Sequence, residues 1–418
     1  MMKISATSYH RYCPLALWIT SGSFQAAILT RHTASALLSR PEHRHQTRLQ
    51  RGFGSFTSSV EGITSIDSTR SKLFRKESHH NGFTRRERRL SSTKWMSTTS
   101  DDDMTTPNQA QQLRVALCQF QVTEDKSLNL QTCSSYIDQA VSSSTSKVDL
   151  VVLPEIWNSP YATAAFSEYA EPVPTVRIDD EKDILITKED SPSVNLLQQK
   201  AIQHQIYLVG GSIPEVDQDN QLYNTCIVVN PQGQIIAKHR KVHLFDINVP
   251  NGITFRESDT LSSGSQITSF ATPWCNIGVG ICYDIRFPEY AMLLGQTCQI
   301  LIYPGAFNLV TGPAHWELLQ RARAVDTQCY VLTASPARRV AVVDTDSTQH
   351  NNSSKYPPYS AWGHSTVVAP WGDIIATADE KESIVVADID LTKVTAMRQS
   401  IPVQNQKRTD IYTLERKD

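Results

Sequence analysis

The feature that most constrains the fold is a series of short, almost uninterrupted apolar runs that alternate with helical patterns. A strand pattern over 113–120 and a helical pattern over about 127–142 precede the apolar run 148–153. Continuous apolar runs suit strands that are covered on both faces, and strand–helix alternation is typical of an α/β domain. Similar runs occur at 206–213, 223–230, 277–283, 299–304 and 329–335, with helical patterns at 193–204, 286–296 and 313–327.

The C-terminal part of this pattern changes character. Strand patterns at 364–369, 373–378 and 383–388 follow one another without helices between them, and a turn at 370–373 separates the first two. A further strand is predicted at 234–238. Consecutive strands without crossover helices pair antiparallel, so the sequence predicts a mixed, partly antiparallel sheet.

Two polar stretches, 171–192 and 339–358, interrupt the pattern. The first is acidic and contains three prolines, and the second carries a long run of Asp, Ser, Thr, Gln and Asn. Exposed loops need such a composition to keep their backbone hydrated. We therefore predict that both stretches are surface insertions.

The N-terminal segment differs in composition from everything after it. Residues 1–100 hold 16 Lys and Arg but only 5 Asp and Glu, and no acidic residue precedes Glu42. Their apolar residues follow no sustained period, so they bury too little surface to offset the entropy of ordering. We predict a disordered N-terminal extension over 1–104 and a folded domain over 113–415.

An Arg-rich, Ser-rich, acid-poor N-terminus is the composition of an organelle transit peptide. A mitochondrial location is therefore predicted, with a plastid or the cytoplasm as alternatives. A plain disordered tail, or a true start at Met96 or Met104, would also explain the segment. The apolar stretch 13–20 could be the core of a signal peptide, but it is far shorter than the roughly 20 residues that span a bilayer, and no transmembrane helix is predicted. The basic run 85–89 is interpreted as a solvated part of the presequence rather than a nucleic-acid site.

The eight cysteines form no CxxC pair and no Cys/His cluster with zinc-site spacing. Most are expected to be reduced core residues, which fits a reducing compartment. The sequence therefore predicts no metal site.

One cysteine stands in a different context. Cys282 lies where the apolar run 277–283 gives way to a helical pattern. A sulfur at such an elbow is accessible to nearby N–H groups that stabilise a thiolate, and the N–H of Tyr283 could bind an oxyanion. A packing role for the cysteine is the alternative.

Two charged residues also stand at strand ends. Glu155 closes the run 151–155 and is either a loop acid or a general base whose pKa burial raises. Lys241 follows the strand predicted at 234–238 and is either a solvated basic residue or a cation for an anionic intermediate. Neither residue is informative alone.

The three residues together resemble the nitrilase (carbon–nitrogen hydrolase) superfamily, whose members carry Glu, Lys and Cys in this order. The matching segments are Leu-Pro-Glu155, His-Arg-Lys241-Val-His-Leu and Gly-Ile-Cys282-Tyr-Asp-Ile-Arg-Phe-Pro-Glu. The resemblance covers about 113–415 and implies an α/β fold, a four-layer α-β-β-α sandwich. It also implies that a second glutamate, Glu257, assists the first and holds the lysine.

Within the superfamily the chain is most similar to omega-amidases. The supporting segments are 154–161, 245–257, 303–308, 311–324, 334–338 and 361–366. This resemblance implies hydrolysis of the side-chain amide of 2-oxoglutaramate and 2-oxosuccinamate through a cysteine thioester. Deaminated-glutathione amidase, N-carbamyl amidase and nitrilase remain alternatives, as does, more remotely, a catalytically silent scaffold of the same fold. The insertions 171–192 and 339–358 are longer than the pattern requires and could reshape the pocket rim.

The resemblance also implies roles for individual residues. Lys241 and the N–H of Tyr283 would stabilise the oxyanion, and Arg286 would bind the substrate carboxylate unless it pairs with Asp284 or Glu289 at the surface. Tyr161 and Thr311 are weaker substrate-binding candidates, whereas His315 and Trp316 are expected to pack a helix onto the sheet. The expected partners are a small amide substrate and a second copy of the chain in a homodimer, with no cofactor, nucleic acid or membrane.

The first prediction concerns the N-terminal extension. A chain that begins at Met104 should fold and hydrolyse its substrate at the rate of the full-length chain, because the composition of 1–100 cannot build a core. Circular dichroism and ammonia release from both chains check this. An insoluble or inactive shortened chain would show that the extension is part of the domain.

Overall fold

The computed structural model describes residues 112–142, 146–174, 189–248, 254–339 and 354–417. The predicted N-terminal extension therefore lies outside the described residues, as do residues 175–188 and 340–353, the larger parts of the two predicted insertions. No helix in the described part of the chain combines the length and the apolarity needed to cross a bilayer.

The first sheet has seven strands, which are β1 (Gln112–Gln119), β2 (Leu150–Val152), β3 (Tyr207–Val209), β4 (Ile213–Val216), β5 (Leu222–Val229), β6 (Ile235–Arg240) and β15 (Ser383–Asp390). Their order across the sheet is β15-β1-β2-β3-β5-β4, with β6 also paired to β5. Strands β1, β2 and β3 run parallel, and the remaining pairings are antiparallel.

The second sheet has six strands, which are β9 (Thr268–Ala271), β10 (Asn276–Val279), β11 (Ile300–Pro304), β12 (Tyr330–Ala334), β13 (Thr366–Val368) and β14 (Ile374–Thr377). Their order across the sheet is β14-β13-β12-β11-β10-β9. The central strands β10, β11 and β12 run parallel, and the outer strands are antiparallel. A separate antiparallel pair joins β7 (Asp246–Asn248) to β8 (Thr254–Arg256).

The two sheets face each other across the largest apolar core, with β1 against β12 and β6 against β9. Val115 and Leu117 of β1 point into this core, whereas the alternating Ala116 and Cys118 pack with helices on the outer face. Both faces of the strand are buried, which explains its continuous apolar sequence.

Helices cover the outer faces of both sheets. Helices α1 (Lys126–Ser142) and α3 (Pro192–His204) pack on the first sheet, and α4 (Pro288–Gly295) and α5 (Thr311–Thr327) pack on the second. The arrangement is the predicted four-layer α-β-β-α sandwich, and the α/β prediction is confirmed. Two short helices that sequence patterns missed are α2 (Thr163–Tyr169) and α6 (Thr392–Ser400).

Two predicted elements differ from the structure. The run 206–213 is not one strand: it breaks after β3 at Gly211, whose φ of +61° is left-handed, and a new strand starts at Ile213. The helix predicted over 286–296 starts later, because Cys282–Arg286 form a 3-10 turn and α4 begins at Pro288. Proline suits the first position of a helix and forces the preceding residue into an extended conformation.

Candidate active site

The second sheet presents Cys282 on a sharp elbow. The residue follows β10 by three positions, opens the 3-10 turn and has a φ of +47°, a left-handed conformation that costs a non-glycine residue about 1–3 kcal/mol. Gly305, after β11, allows this close packing, because a Cβ there would lie 3.3 Å from the Cα of Cys282. The elbow leaves the Cys282 side chain nearly buried, with 5% of the residue exposed.

The first sheet contributes Glu155, three residues beyond β2 and fully buried. Its Oε1 accepts hydrogen bonds from Lys241 Nζ at 3.0 Å, Asn224 Nδ2 at 2.9 Å and the Tyr161 hydroxyl at 3.2 Å. Its Oε2 accepts the backbone N–H of Ala306 at 2.8 Å. Burial raises the pKa of Glu155, with Lys241 opposing and Glu257 reinforcing the rise.

Lys241, which directly follows β6, is fully buried between two carboxylates. Its Nζ lies 3.0 Å from Glu155 Oε1 and 2.9 Å from Glu257 Oε2. Burial alone lowers the pKa of a lysine, but Glu155 and Glu257 outweigh it and raise the pKa of Lys241 well above its ordinary value. The ammonium therefore keeps its charge inside the protein.

Glu257 is as buried as its partners and is held from three sides. Besides Lys241, its carboxylate accepts the Tyr161 hydroxyl at 2.8 Å and the backbone N–H of Phe245 at 2.8 Å. The structure thus brings Glu155, Lys241 and Glu257 into one hydrogen-bonded cluster, although they are far apart in sequence.

The side chain of Cys282 lies against this cluster, close enough to interact electrostatically with Glu155 and Lys241. Burial and the negative charge of Glu155 raise the pKa of Cys282 well above its ordinary value, while Lys241 and the N–H of Ala306 act in the opposite direction. In the free protein the proton consequently resides on sulfur, next to a carboxylate that can accept it.

The two oxygens of Glu155 face different partners. Three donors occupy Oε1, whereas Oε2 accepts Ala306 N–H, the same N–H that interacts with the sulfur of Cys282. A carboxylate oxygen offers two acceptor sites. Oε2 is therefore the oxygen of Glu155 that shares a donor with the thiol.

The Tyr161 hydroxyl contacts the carboxylates of both Glu155 and Glu257. Its ring stacks on Tyr359 with the centroids 4.6 Å apart, and the Tyr359 hydroxyl in turn donates to the carbonyl of Ala306. A small cavity lined by Glu155, Tyr161, Ala306, Tyr359 and Arg339 opens beside them. Sequence reasoning missed Asn224 and Tyr359, which stand in no matched segment. It also missed Ala306, which lies in the matched segment 303–308 but contributes only a backbone N–H.

Three other predicted residues surround the elbow differently. Within the described ranges no acceptor takes the backbone N–H of Tyr283, so this donor is available. Thr311 opens α5, and its hydroxyl donates to Asn308 Oδ1 at 3.1 Å. This hydrogen bond stabilises the turn that leads into α5. Trp316 is buried and donates to the carbonyl of His364, which agrees with a packing role.

Arg286 is the last residue of the 3-10 turn and not, as predicted, part of the first turn of α4. Its guanidinium lies 4.7 Å from the centre of the Phe307 ring, and its Nη1 lies 3.2 Å from Nδ1 of His315. The ion pairs of the described ranges include none with Arg286, and Asp284 pairs instead with His239 and His243. Burial lowers the pKa of Arg286, and Cys282 opposes this.

No cluster of three His, Cys, Asp or Glu side chains that could hold a metal occurs in the described part of the chain. Besides its own thiol, Cys282 is surrounded by two carboxylates, an ammonium and the backbone N–H groups of Tyr283 and Ala306. Such a set can move a proton and stabilise an oxyanion with protein atoms alone.

A four-layer sandwich that buries these groups at the ends of its strands defines the chain as a hydrolytic enzyme of α/β class. The model of the Carbon-nitrogen hydrolase family matches residues 114–399, and the chain belongs to this family. The predicted resemblance to the nitrilase superfamily is confirmed, and the protein is an amidase.

Its relatives include omega-amidase NIT2 of Homo sapiens, which is 50% identical over 73% of this chain and 98% of the human protein. Omega-amidase NIT2 of Mus musculus is 49% identical over the same shares. Among solved structures, Saccharomyces cerevisiae Nit3, a member of branch 10 of the nitrilase superfamily, superposes with a TM-score of 0.60 at 41% identity. The match covers 72% of this chain and all of the yeast chain.

The second prediction concerns the buried charges. Lys241→Met should destabilise the protein by about 3–5 kcal/mol at neutral pH, because it leaves two buried carboxylates without their cation. Losing Lys241 raises the pKa of Glu155 further. A carboxyl with a raised pKa stabilises the folded state below its unfolded pKa, and this contribution is lost as pH rises through the folded pKa. The deficit relative to wild type should therefore shrink as pH falls.

Urea unfolding of both proteins at about pH 8 and about pH 5 measures this change. Adding Glu257→Gln to Lys241→Met should recover part of the lost stability at the higher pH, since it removes one uncompensated charge. A deficit that is the same at both pH values would contradict the electrostatic explanation.

Proposed function

We propose that the protein hydrolyses the side-chain amide of 2-oxo dicarboxylic acid monoamides, 2-oxoglutaramate and 2-oxosuccinamate, and releases ammonia through a thioester on Cys282. The observation that carries this proposal is the position of the Cys282 side chain against the buried carboxylate of Glu155, whose Oε1 is held by Lys241. Similarity to omega-amidases over nearly their whole length supports the substrate class.

In the first step Glu155 Oε2 takes the proton of the Cys282 thiol as sulfur attacks the amide carbon. The carbonyl oxygen becomes an oxyanion, which the charge of Lys241 and the free N–H of Tyr283 stabilise. Asn224, Tyr161 and Lys241 hold Oε1, so the base cannot rotate away from the thiol. Preorganised donors of this kind need no rearrangement during the reaction.

In the second step the tetrahedral intermediate collapses and the carbon–nitrogen bond breaks. Glu155 gives its proton to the leaving nitrogen, which departs as ammonia and leaves a thioester on Cys282. Glu155 then removes a proton from a water molecule that attacks the thioester carbon. The returning proton regenerates the thiol, so the net reaction is amide plus water to acid plus ammonia.

Glu257 has a different part in this scheme. Its carboxylate holds the Lys241 ammonium and accepts the Tyr161 hydroxyl, which also contacts Glu155. The second glutamate thereby keeps Lys241 charged and Glu155 oriented. Tyr161 acts through the carboxylates in this proposal, rather than as the substrate contact predicted from the sequence.

The homodimer remains a proposal. Leu318 and Val325 lie on the same face of α5, about two turns apart, and are 63% and 45% exposed. Trp371, in the adjacent turn, is 50% exposed. A cluster of exposed apolar side chains on a helix is characteristic of an association surface. Packing of α5 against α5 of a second copy would cover it.

The third prediction tests the nucleophile and the substrate class together. Cys282→Ala should lower ammonia release from 2-oxoglutaramate by at least about 10³-fold, because no other group can form the thioester. Cys275→Ser, at a half-buried cysteine on the way into β10, is the matched control and should keep most of the activity. Substantial turnover by Cys282→Ala would rule out the proposed mechanism.

The same assay separates the alternatives that the sequence left open. The wild type is given 2-oxoglutaramate, deaminated glutathione, N-carbamyl-β-alanine and a simple nitrile in parallel. The proposal requires the highest kcat/KM on 2-oxoglutaramate. A higher value on another compound would assign the protein to that activity instead, and activity on none would support a scaffold.

The fourth prediction concerns recognition of the substrate carboxylate by Arg286, a half-buried cation near Cys282 without an ion-pair partner in the described ranges. A guanidinium binds a carboxylate through two parallel hydrogen bonds that an ammonium cannot reproduce. Arg286→Lys should lower kcat/KM on 2-oxoglutaramate by about 10–150-fold, the equivalent of one charge-assisted hydrogen bond.

The deciding comparison uses the methyl ester of 2-oxoglutaramate, which has no carboxylate for Arg286 to bind. On this ester Arg286→Lys should have the same kcat/KM as the wild type. Arg321→Lys, at an exposed arginine paired with Glu317, controls for the substitution itself. Equal losses of kcat/KM on the acid and the ester would mean that Arg286 supports the elbow and does not bind the substrate carboxylate.

A further inference from the structure

We propose that Asp284 is a positioning residue that holds Cys282 in register with Lys241 across the interface of the two sheets. The inference rests on the proposed function, since it concerns the two groups that act there. Asp284 follows the nucleophile by two residues, but its side chain is fully buried and turned toward the other sheet.

The contacts of Asp284 show how it joins the sheets. Its Oδ2 accepts the backbone N–H of Ile281 at 2.9 Å and lies 3.2 Å from Nε2 of His239. Its Oδ1 accepts the backbone N–H of His243 at 2.9 Å and lies 2.7 Å from Nδ1 of the same residue. Four donors therefore converge on one carboxylate.

These donors come from the two sides of the active site. Ile281 immediately precedes Cys282 and follows β10 of the second sheet, whereas His239 on β6 of the first sheet and His243 just beyond it flank Lys241. The backbone N–H of Asp284 also donates to the carbonyl of Ile281 at 3.0 Å, which closes the elbow on itself. One side chain thus fixes the strained turn under the sulfur and the segment that carries the ammonium.

The carboxylate charge suits this task better than a neutral amide would. An asparagine would turn one of the two acceptor oxygens into an NH₂ donor that faces two other donors. Burial by itself raises the pKa of Asp284, but hydrogen bonds from His239 and His243 outweigh it and lower the pKa below its ordinary value. Asp284 is consequently ionised at neutral pH.

The histidine on the exposed side is itself held in place. The ring of His243 stacks on Phe287 at 3.6 Å between centroids and 11° between planes, and Phe287 directly precedes α4. A stacked ring cannot swing its Nδ1 away from Asp284 without losing this contact. The contacts that hold Asp284 therefore extend from β6 through His243 to Phe287 at the start of α4.

The fifth prediction follows from this geometry. Asp284→Asn should lower kcat on 2-oxoglutaramate by about 10²-fold, since a displacement of about 1 Å between reacting groups costs this much. KM should change far less, because Asp284 contacts no substrate. Asp138→Asn is the matched control: Asp138 also pairs with a histidine, His204, but on α1 at the outer face of the first sheet.

A second pair of variants keeps the test decisive if Asp284→Asn does not fold. His243→Asn retains a side-chain N–H near the position of Nδ1, whereas His243→Leu does not. The His243 side chain is 26% exposed, so both should fold. The Leu variant should lose more kcat than the Asn variant.

The outcomes separate cleanly. A folded Asp284→Asn protein with the kcat of Asp138→Asn would overturn the inference, as would equal kcat values for the two His243 variants. If Cys282→Ala also retained activity, the proposed function would fail first. If Cys282→Ala is inactive while Asp284→Asn behaves like its control, only the positioning role is wrong.

Discussion

A lysine ammonium buried between two carboxylates is the interaction on which the rest of the site depends. Glu155, Lys241 and Glu257 place three charged groups where no solvent reaches them. Isolated burial of any one of them would be prohibitive, so each needs the others and additional donors. Asn224, Tyr161 and the N–H groups of Phe245 and Ala306 supply these. Because these charges need donors at defined positions, the backbone at Phe245 and Ala306 must keep its N–H groups directed at the carboxylates.

The second constraint is that the groups of the proposed site come from different sheets. Glu155 and Lys241 follow strands of the first sheet, whereas Cys282 and Ala306 follow strands of the second. Ala306 N–H donates to Glu155 and Asp284 accepts from His239 and His243, so these three polar contacts cross the interface beside the thiol. Apolar packing elsewhere brings the sheets together, but it is non-directional. The directional contacts therefore determine how the sulfur of Cys282 lies relative to the carboxylate of Glu155.

Much of this architecture could be predicted from particular residues. The apolar runs that became β1, β5, β11 and β12, and the helices α1, α3 and α5, follow from periodicity, because covered strands and amphipathic helices leave different patterns. The break at Gly211 was missed although the Gly210-Gly211 pair is a local turn signal. Only the structure shows the close approach there, since a Cβ at Gly211 would lie 2.1 Å from the carbonyl oxygen of Pro154. The late start of α4 had a local signal, Pro288, which the helical pattern from 286 onward obscured.

For the site, the sequence by itself determined which chemical groups are present and in what order, and its motifs predicted that Glu155, Lys241, Glu257 and Cys282 belong to one site. Only the tertiary structure decided which groups touch. Asn224, Ala306 and Tyr359 look unremarkable in sequence, and the Tyr161 hydroxyl meets carboxylates instead of open space. The physical reason is that hydrogen bonds act over about 3 Å, while these residues are separated by tens of positions and meet only when the two sheets pack.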